Sequence, residues 1–168
     1  MNMELQLKIV TANQKDTLNN LMEKHIYEFS QYDLLPFDDT GLFRDSHIDS
    51  YFTDENRIPY FIYVDGKLAG LALVFKHAEG PAPLDWAIAE FFIAYQYRRK
   101  GVGTAVMKML FEHYKGIWQI KYHPKNKGSE IFWQKIAAEV SGNRFEIIRG
   151  NEDYYDGTPS NVLVFEVK

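Results

Sequence analysis

Apolar and polar positions alternate through Leu5-Gln6-Leu7-Lys8-Ile9-Val10, which predicts a first strand with one face toward a core. The period then changes. Leu18, Leu21, Met22, His25 and Phe29 recur every three or four residues and so share one stripe of a helix. Thr11 or Asn13 lies just ahead and can cap the free amides at its start. Residues 31–47 show no period and mix Pro36, Gly41 and four aspartates with aromatics, so they are expected to be irregular. A short helix follows over Ile48 to Phe52.

Tyr60 to Val64 and Leu68 to Phe75 are β-rich and flank Asp65-Gly66, a hairpin signal because glycine accepts the positive φ of such a turn. After the Gly80-Pro81-Ala82-Pro83 turn, Trp86 to Ile93 is almost continuously apolar, which suits a strand covered on both faces. A helix is predicted over Gly103 to Tyr114, with Val102, Val106, Met109, Leu110 and His113 on one side. Ile117 to Tyr122 reads as a strand ended by Pro124, and Ser129 to Val140 as a helix with Phe132, Ile136 and Val140 in register. Phe145 to Ile148 and Val162 to Val167 close the fold, with residues 149–160 as a polar, tyrosine-bearing loop. The order is β-α-α-β-β-β-α-β-α-β-β, with hairpins first and β-α-β later. It predicts an α/β (mixed α+β) fold, a mixed sheet with helices on both faces. No repeat or linker divides the chain, so residues 1–168 are expected to form one domain.

Composition narrows the function classes. With 168 residues, 46% of them hydrophobic, the chain can bury a single core. A net charge of −4, with no long block of like charges, gives nucleic acid no electrostatic footprint. The absence of cysteine excludes disulfides, thiolate metal sites and a cysteine nucleophile, and it suits a reducing cytoplasm. The start of the sequence lacks a basic stretch followed by an apolar run, so no leader is expected. No apolar run approaches the ~20 residues needed to span a membrane, and no membrane partner is expected. No histidines share helical i, i+4 spacing, so no metal is expected.

The chemistry lies in Glu90-Phe91-Phe92-Ile93-Ala94-Tyr95-Gln96-Tyr97-Arg98-Arg99-Lys100-Gly101-Val102-Gly103-Thr104. A buried strand runs into a basic, glycine-bearing turn that opens a helix. The first amides of a helix have no internal partners and carry partial positive charge, so such a turn cradles an anion. Two other phosphate loops do not fit: there is no Gly-x-x-x-x-Gly-Lys-Ser/Thr, and Val106 occupies the third glycine position of Gly-x-Gly-x-x-Gly.

This stretch resembles the acetyl-CoA signature Gln/Arg-x-x-Gly-x-Gly/Ala of the GNAT superfamily of N-acetyltransferases, met here by Arg98, Gly101 and Gly103. Downstream, Asn126-Lys127-Gly128-Ser129-Glu130-Ile131-Phe132-Trp133 resembles the family's Asn-x-x-Ala-x-x-Leu-Tyr, with Ser129 for Ala and Phe132 for Leu. The resemblance is specific from Trp86 to Val140. It implies a mostly antiparallel sheet of about six to seven strands and acetyl-CoA as co-substrate. Phe92 and Ile93 are implied to meet the pantetheine and the thioester oxygen through their backbone. Arg98, Arg99, Lys100, Gly101, Val102, Gly103 and Thr104 are implied to hold the pyrophosphate, with Asn126 and Trp133 beside the CoA arm. Trp133 stands where many members have a tyrosine that protonates the thiolate; an indole N–H does not supply a proton at neutral pH.

The implied reaction is direct attack of an amine on the thioester in a ternary complex. An alkylammonium must first lose a proton, and Glu90 is the leading base, because a carboxylate inside an apolar strand needs a reason. His123 and Asp85 are the other candidates; His25 and His113 read as core or edge histidines. Tyr32, Phe37 and Asp38 are expected to contact the acceptor, a small-molecule or peptide amine. Phe91, Phe92 and Trp133 are expected to crowd the acyl pocket and favour acetyl. The alternative is a GNAT-like module that holds acyl-CoA without chemistry. The assembly is expected to be a monomer or homodimer.

Overall fold

The computed structural model describes residues 2–45 and 47–168. Among these, seven strands form one sheet: β1 (Leu5–Ile9), β2 (Arg57–Val64), β3 (Lys67–Phe75), β4 (Trp86–Ile93), β5 (Gly116–Tyr122), β6 (Phe145–Asp153) and β7 (Pro159–Val167). Their order across the sheet is β1-β2-β3-β4-β5-β7-β6. Every pairing is antiparallel except β4 with β5. The helices are α1 (Lys15–Asp33), α2 (Val102–His113) and α3 (Lys127–Ser141), and a 3₁₀ helix covers Ile48–Phe52.

The β2–β3 hairpin turns at Asp65-Gly66, both with positive φ (50° and 73°), which matches the right-handed twist of the strands it joins. The sheet divides two cores. On one face Leu18 and Met22 of α1 pack with Ile48, Tyr51, Phe61, Leu71, Leu73 and Phe92. On the other, Val106 and Leu110 of α2 and Ile136 of α3 pack with Ile62, Ala72, Ile88, Trp118 and Ile120. Burying each such aliphatic side chain stabilises by ~1.5–3 kcal/mol, which is why the stripes of the helices and the alternation of the strands fix which face goes where.

Two predicted details are corrected. Residues 149–160 are not a loop: β6 runs on to Asp153, β7 begins at Pro159, and only Tyr154 to Thr158 turn. Helix α2 is rotated from the expected face. Met107 and Phe111 are buried, whereas Met109 is half-buried and His113 exposed, because α2 must reach Trp118 and Phe165 with Phe111.

One irregularity positions the site. Against β3, Leu73 pairs with Glu90 but Val74 pairs with Ile88, so Ala89 is an extra residue, a β-bulge. In an unbroken strand, Ile88 and Glu90 would share a face. The bulge breaks that parity: Ile88 stays in the α2/α3 core, while Glu90 is turned toward α1. A second consequence appears on the other edge of β4. Its register with β5 ends at Ile88↔Ile120, although β4 continues to Ile93 and β5 to Tyr122. The two parallel strands therefore part beyond the bulge.

Candidate active site

A cavity of about 1320 Å³ lies along the gap between β4 and β5 and is open to both faces of the sheet. On the α2/α3 side its wall includes Arg98, Arg99, Gly101, Val102, Gly103 and Thr104, the turn that leads into α2. Arg99 (φ 56°) and Gly101 (φ 79°) both adopt left-handed backbone, which brings the chain sharply round into the first turn of α2. This is the geometry of an anion cradle: first-turn amides without intrahelical partners, at the positive end of the helix dipole. Phe92, Ile93, Asn126 and Trp133 also line the cavity.

The elements hold these residues in distinct ways. Asn126 caps α3, its side-chain oxygen accepting from the Ser129 amide at 3.1 Å. Trp133 is buried and meets Phe91 edge-on at 5.2 Å and Phe132 at 4.7 Å. A Cβ on Gly103 would sit 3.0 Å from the Phe132 ring, so the glycine admits that aromatic against the start of α2. Phe91, Phe132 and Trp133 thus form the apolar wall on this side. Phe92 is not part of it: its ring faces the opposite side of the sheet and lies 5.8 Å from His25.

Arg98 does not present a free guanidinium. Its two terminal nitrogens donate to both carboxylate oxygens of Glu28 on α1, one of them at 2.6 Å, and its Nε donates to the Ile93 carbonyl. The first residue of the signature therefore ties the turn to α1 and to the end of β4. Lys100 is exposed and stands outside the cavity wall.

On the α1 side, Glu90 Oε2 lies 2.6 Å from His25 Nε2. The Glu90 side chain is 37% exposed and that of His25 14%, so the pair is sheltered but reachable from the cavity. Phe29 and Phe92 flank the imidazole. Asp45 and Glu79 line the same space, and burial pushes both carboxyls above the usual range. Tyr154 and Tyr51 also line it, their phenols held protonated chiefly by burial.

Among the catalytic and acceptor-binding candidates, Glu90 and Tyr32 stand at the cavity and four others do not. His123 is fully buried with both nitrogens engaged: Nδ1 accepts from the Lys125 amide at 3.1 Å, and Nε2 donates to Asp156 at 3.2 Å. It holds the end of β5 to the β6–β7 turn and has no lone pair for a substrate. Asp85 precedes β4, at the end opposite Ile93, where its carboxylate accepts from the Ile117 amide at 2.8 Å. It fastens β4 to β5 where they are still joined. The Asp38 carboxylate is saturated locally by Thr40, Leu42 and Arg44. Phe37 is exposed and stacks on Tyr27, away from the cavity. His25 is the residue missed. A histidine on the apolar stripe of α1 and a glutamate in an apolar strand each lack a local partner, and that shared oddity was the available signal. Among the described residues no cluster of side chains suited to a metal ion occurs, and no helix is long and apolar enough to cross a membrane.

The profile of the acetyltransferase (GNAT) family matches residues 19–137. No curated protein sequence matches the chain. Among solved structures, a GNAT-family acetyltransferase from Streptococcus agalactiae superposes with a TM-score of 0.67 at 18% identity, over 98% of this chain and 95% of that one. An acetyltransferase from Thermus thermophilus gives 0.68 at 13% identity, over 97% of each chain. A GNAT-family acetyltransferase from Streptococcus pneumoniae gives 0.63 at 13% identity, over 98% of this chain and 100% of that one. At such identities the structures speak for the fold alone, whereas the family profile spans more than half of the sequence. The chain belongs to the GNAT family of acetyltransferases.

Proposed function

We propose that the protein is an N-acetyltransferase that moves acetyl from acetyl-CoA to a primary amine by direct attack in a ternary complex. The observation that carries this reading is the opening between β4 and β5, with the anion cradle on one side and the Glu90–His25 pair on the other. CoA enters from the α2/α3 side, with its pyrophosphate against the turn Arg98 to Thr104 and its pantetheine along the end of β4. The thioester then lies in the gap, where backbone amides near Phe92 and Ile93 serve the tetrahedral oxygen; one such donor is typically worth ~10²–10³ in rate.

The amine enters from the α1 side, past Tyr32 and Tyr154. Its ammonium form, with a pKa near ~10, must lose a proton before attack, and the Glu90–His25 pair, beside the gap between the strands, receives it. The leaving thiolate, of pKa near ~8.5, needs little assistance, which accommodates Trp133 in place of a tyrosine. Phe91, Phe132 and Trp133 narrow the acyl side and favour acetyl over longer groups.

The test is CoA release from acetyl-CoA against a panel of amines: spermidine, an aminoglycoside, lysine and an unblocked peptide, with mass spectrometry of the product. An acetylated amine supports the reading. Acetyl-CoA binding with no turnover on any amine favours the non-catalytic module that Trp133 suggests.

A further inference from the structure

We propose that His25 is the group that takes the proton from the acceptor amine, through Nδ1, while Glu90 orients the imidazole through its Nε2–H. This rests on the acetyltransferase reading of the site and assigns the two halves of the pair different work.

The hydrogen bond defines one end of the ring. Nε2 faces Glu90 Oε2 at 2.6 Å, so a neutral imidazole that donates there carries its lone pair on Nδ1. Among the described residues, Nδ1 bonds to no protein group, and the one buried side-chain nitrogen or oxygen lacking a partner is Arg57 Nε. The Nδ1 atom is therefore accessible to solvent, on a side chain that lines the cavity. Phe92 at 5.8 Å and Phe29 at 6.3 Å fix the ring between them. Carboxylate, imidazole and an open second nitrogen form an oriented base of the kind found in hydrolytic triads.

Chemistry favours imidazole over carboxylate for this task. An alkylammonium gives its proton to a free carboxylate against roughly six powers of ten, and to a free imidazole against roughly four. An adjacent carboxylate stabilises the imidazolium that forms. The amine thus gives one proton to His25 Nδ1, and its freed nitrogen bonds to the thioester carbon. The carbon–sulfur bond breaks, and the second proton of the nitrogen leaves with CoA as the thiol. His25 returns its proton to water as the products depart.

The experiment combines nitrogen-15 NMR of the imidazoles with kinetics on the panel amine that turns over fastest. In the protein as purified, the His25 ring is expected to show a slowly exchanging proton on Nε2, lost in Glu90→Leu, and the neutral ring is expected to carry its lone pair on Nδ1. His25→Ala is expected to slow CoA release at least ~100-fold, to leave acetyl-CoA affinity unchanged, and to regain at least ~10-fold with added imidazole; Glu90→Ala should gain nothing from imidazole. A neutral ring with its proton on Nδ1 and none on Nε2 would overturn the assignment, as would His25→Ala activity within about threefold of the parent. Rescue of Glu90→Ala by acetate, with none of His25→Ala by imidazole, would make Glu90 the base. The NMR measurement needs no acceptor, so the opposite tautomer would overturn the assignment even where no panel amine reacts. Failure of the acetyltransferase reading shows separately, as resonances unmoved by acetyl-CoA.

Discussion

Glu28 and Arg98, seventy residues apart in the chain, form a two-pronged ion pair that joins helix α1 to the turn before α2. Glu28 lies about one helical turn after His25 on α1, so the same helix holds the turn before α2 and the His25–Glu90 pair in fixed relation. Neither side chain is fully sheltered, and solvent screens part of the attraction. Glu28→Gln is expected to cost about 1 kcal/mol, read as a fall in Tm of roughly 2–4 °C for a chain of this size. It should also weaken acetyl-CoA binding, because the turn loses its anchor. An unchanged affinity would show that the turn holds its shape without α1.

Glu90→Gln keeps the shape of the side chain and removes its charge. Turnover is expected to fall by ~10²–10⁴ with acetyl-CoA affinity unaltered, since the pair lies on the face opposite the cradle. Steady-state kinetics beside a binding titration checks this. Equal losses in both would mean that Glu90 serves the fold rather than the reaction.

The cradle can be tested by charge without crowding. Gly103→Glu mixes two effects, because any Cβ there meets Phe132 at 3.0 Å. Thr104→Glu, one residue further into α2, sets a carboxylate near the proposed pyrophosphate position while suiting the positive end of the helix. Acetyl-CoA affinity should fall at least ~10-fold, about 1.4 kcal/mol, with Tm held or raised. Calorimetry and a melting curve separate the two quantities.

His123 and Lys125 bear on stability. The ammonium of Lys125, then the hydroxyl of Thr158, hold the Asp156 carboxyl well below the usual carboxylate range, and His123 adds to this. A depressed folded-state pKa stabilises the fold at pH values above the unfolded-state value near ~3.9, and the contribution is lost as pH falls toward the folded value. Asp156→Asn should therefore lower Tm at pH 7, with the gap narrowing below about pH 4. A gap constant with pH would assign the loss to turn geometry instead.

The strands could be read from alternation to within a few residues, and the bounds of β4 to the residue, because its apolar run is almost continuous and ends in a polar turn at both sides. The end of β6 could not: Arg149, Asn151, Glu152 and Asp153 face solvent on an edge strand, where polarity looks like a loop. The cradle was legible because local chain order builds it. The bulge at Ala89 was not, since it is set by pairing with β3, and without it nothing in the sequence turns Glu90 toward α1. Its partner His25 is 65 residues away, so the pair exists only once the sheet has placed α1 over β4. Asp85 and His123 show the reverse case, polar residues near the right strands whose bonding capacity the backbone has already claimed.

The central claim is that the turn Arg98 to Thr104 holds coenzyme A. Isothermal titration of the protein with acetyl-CoA and with CoA tests it most directly. The expected result is saturable binding of both, in competition with each other. Heat traces indistinguishable from buffer dilution would contradict it and leave the turn as a basic connection between β4 and α2.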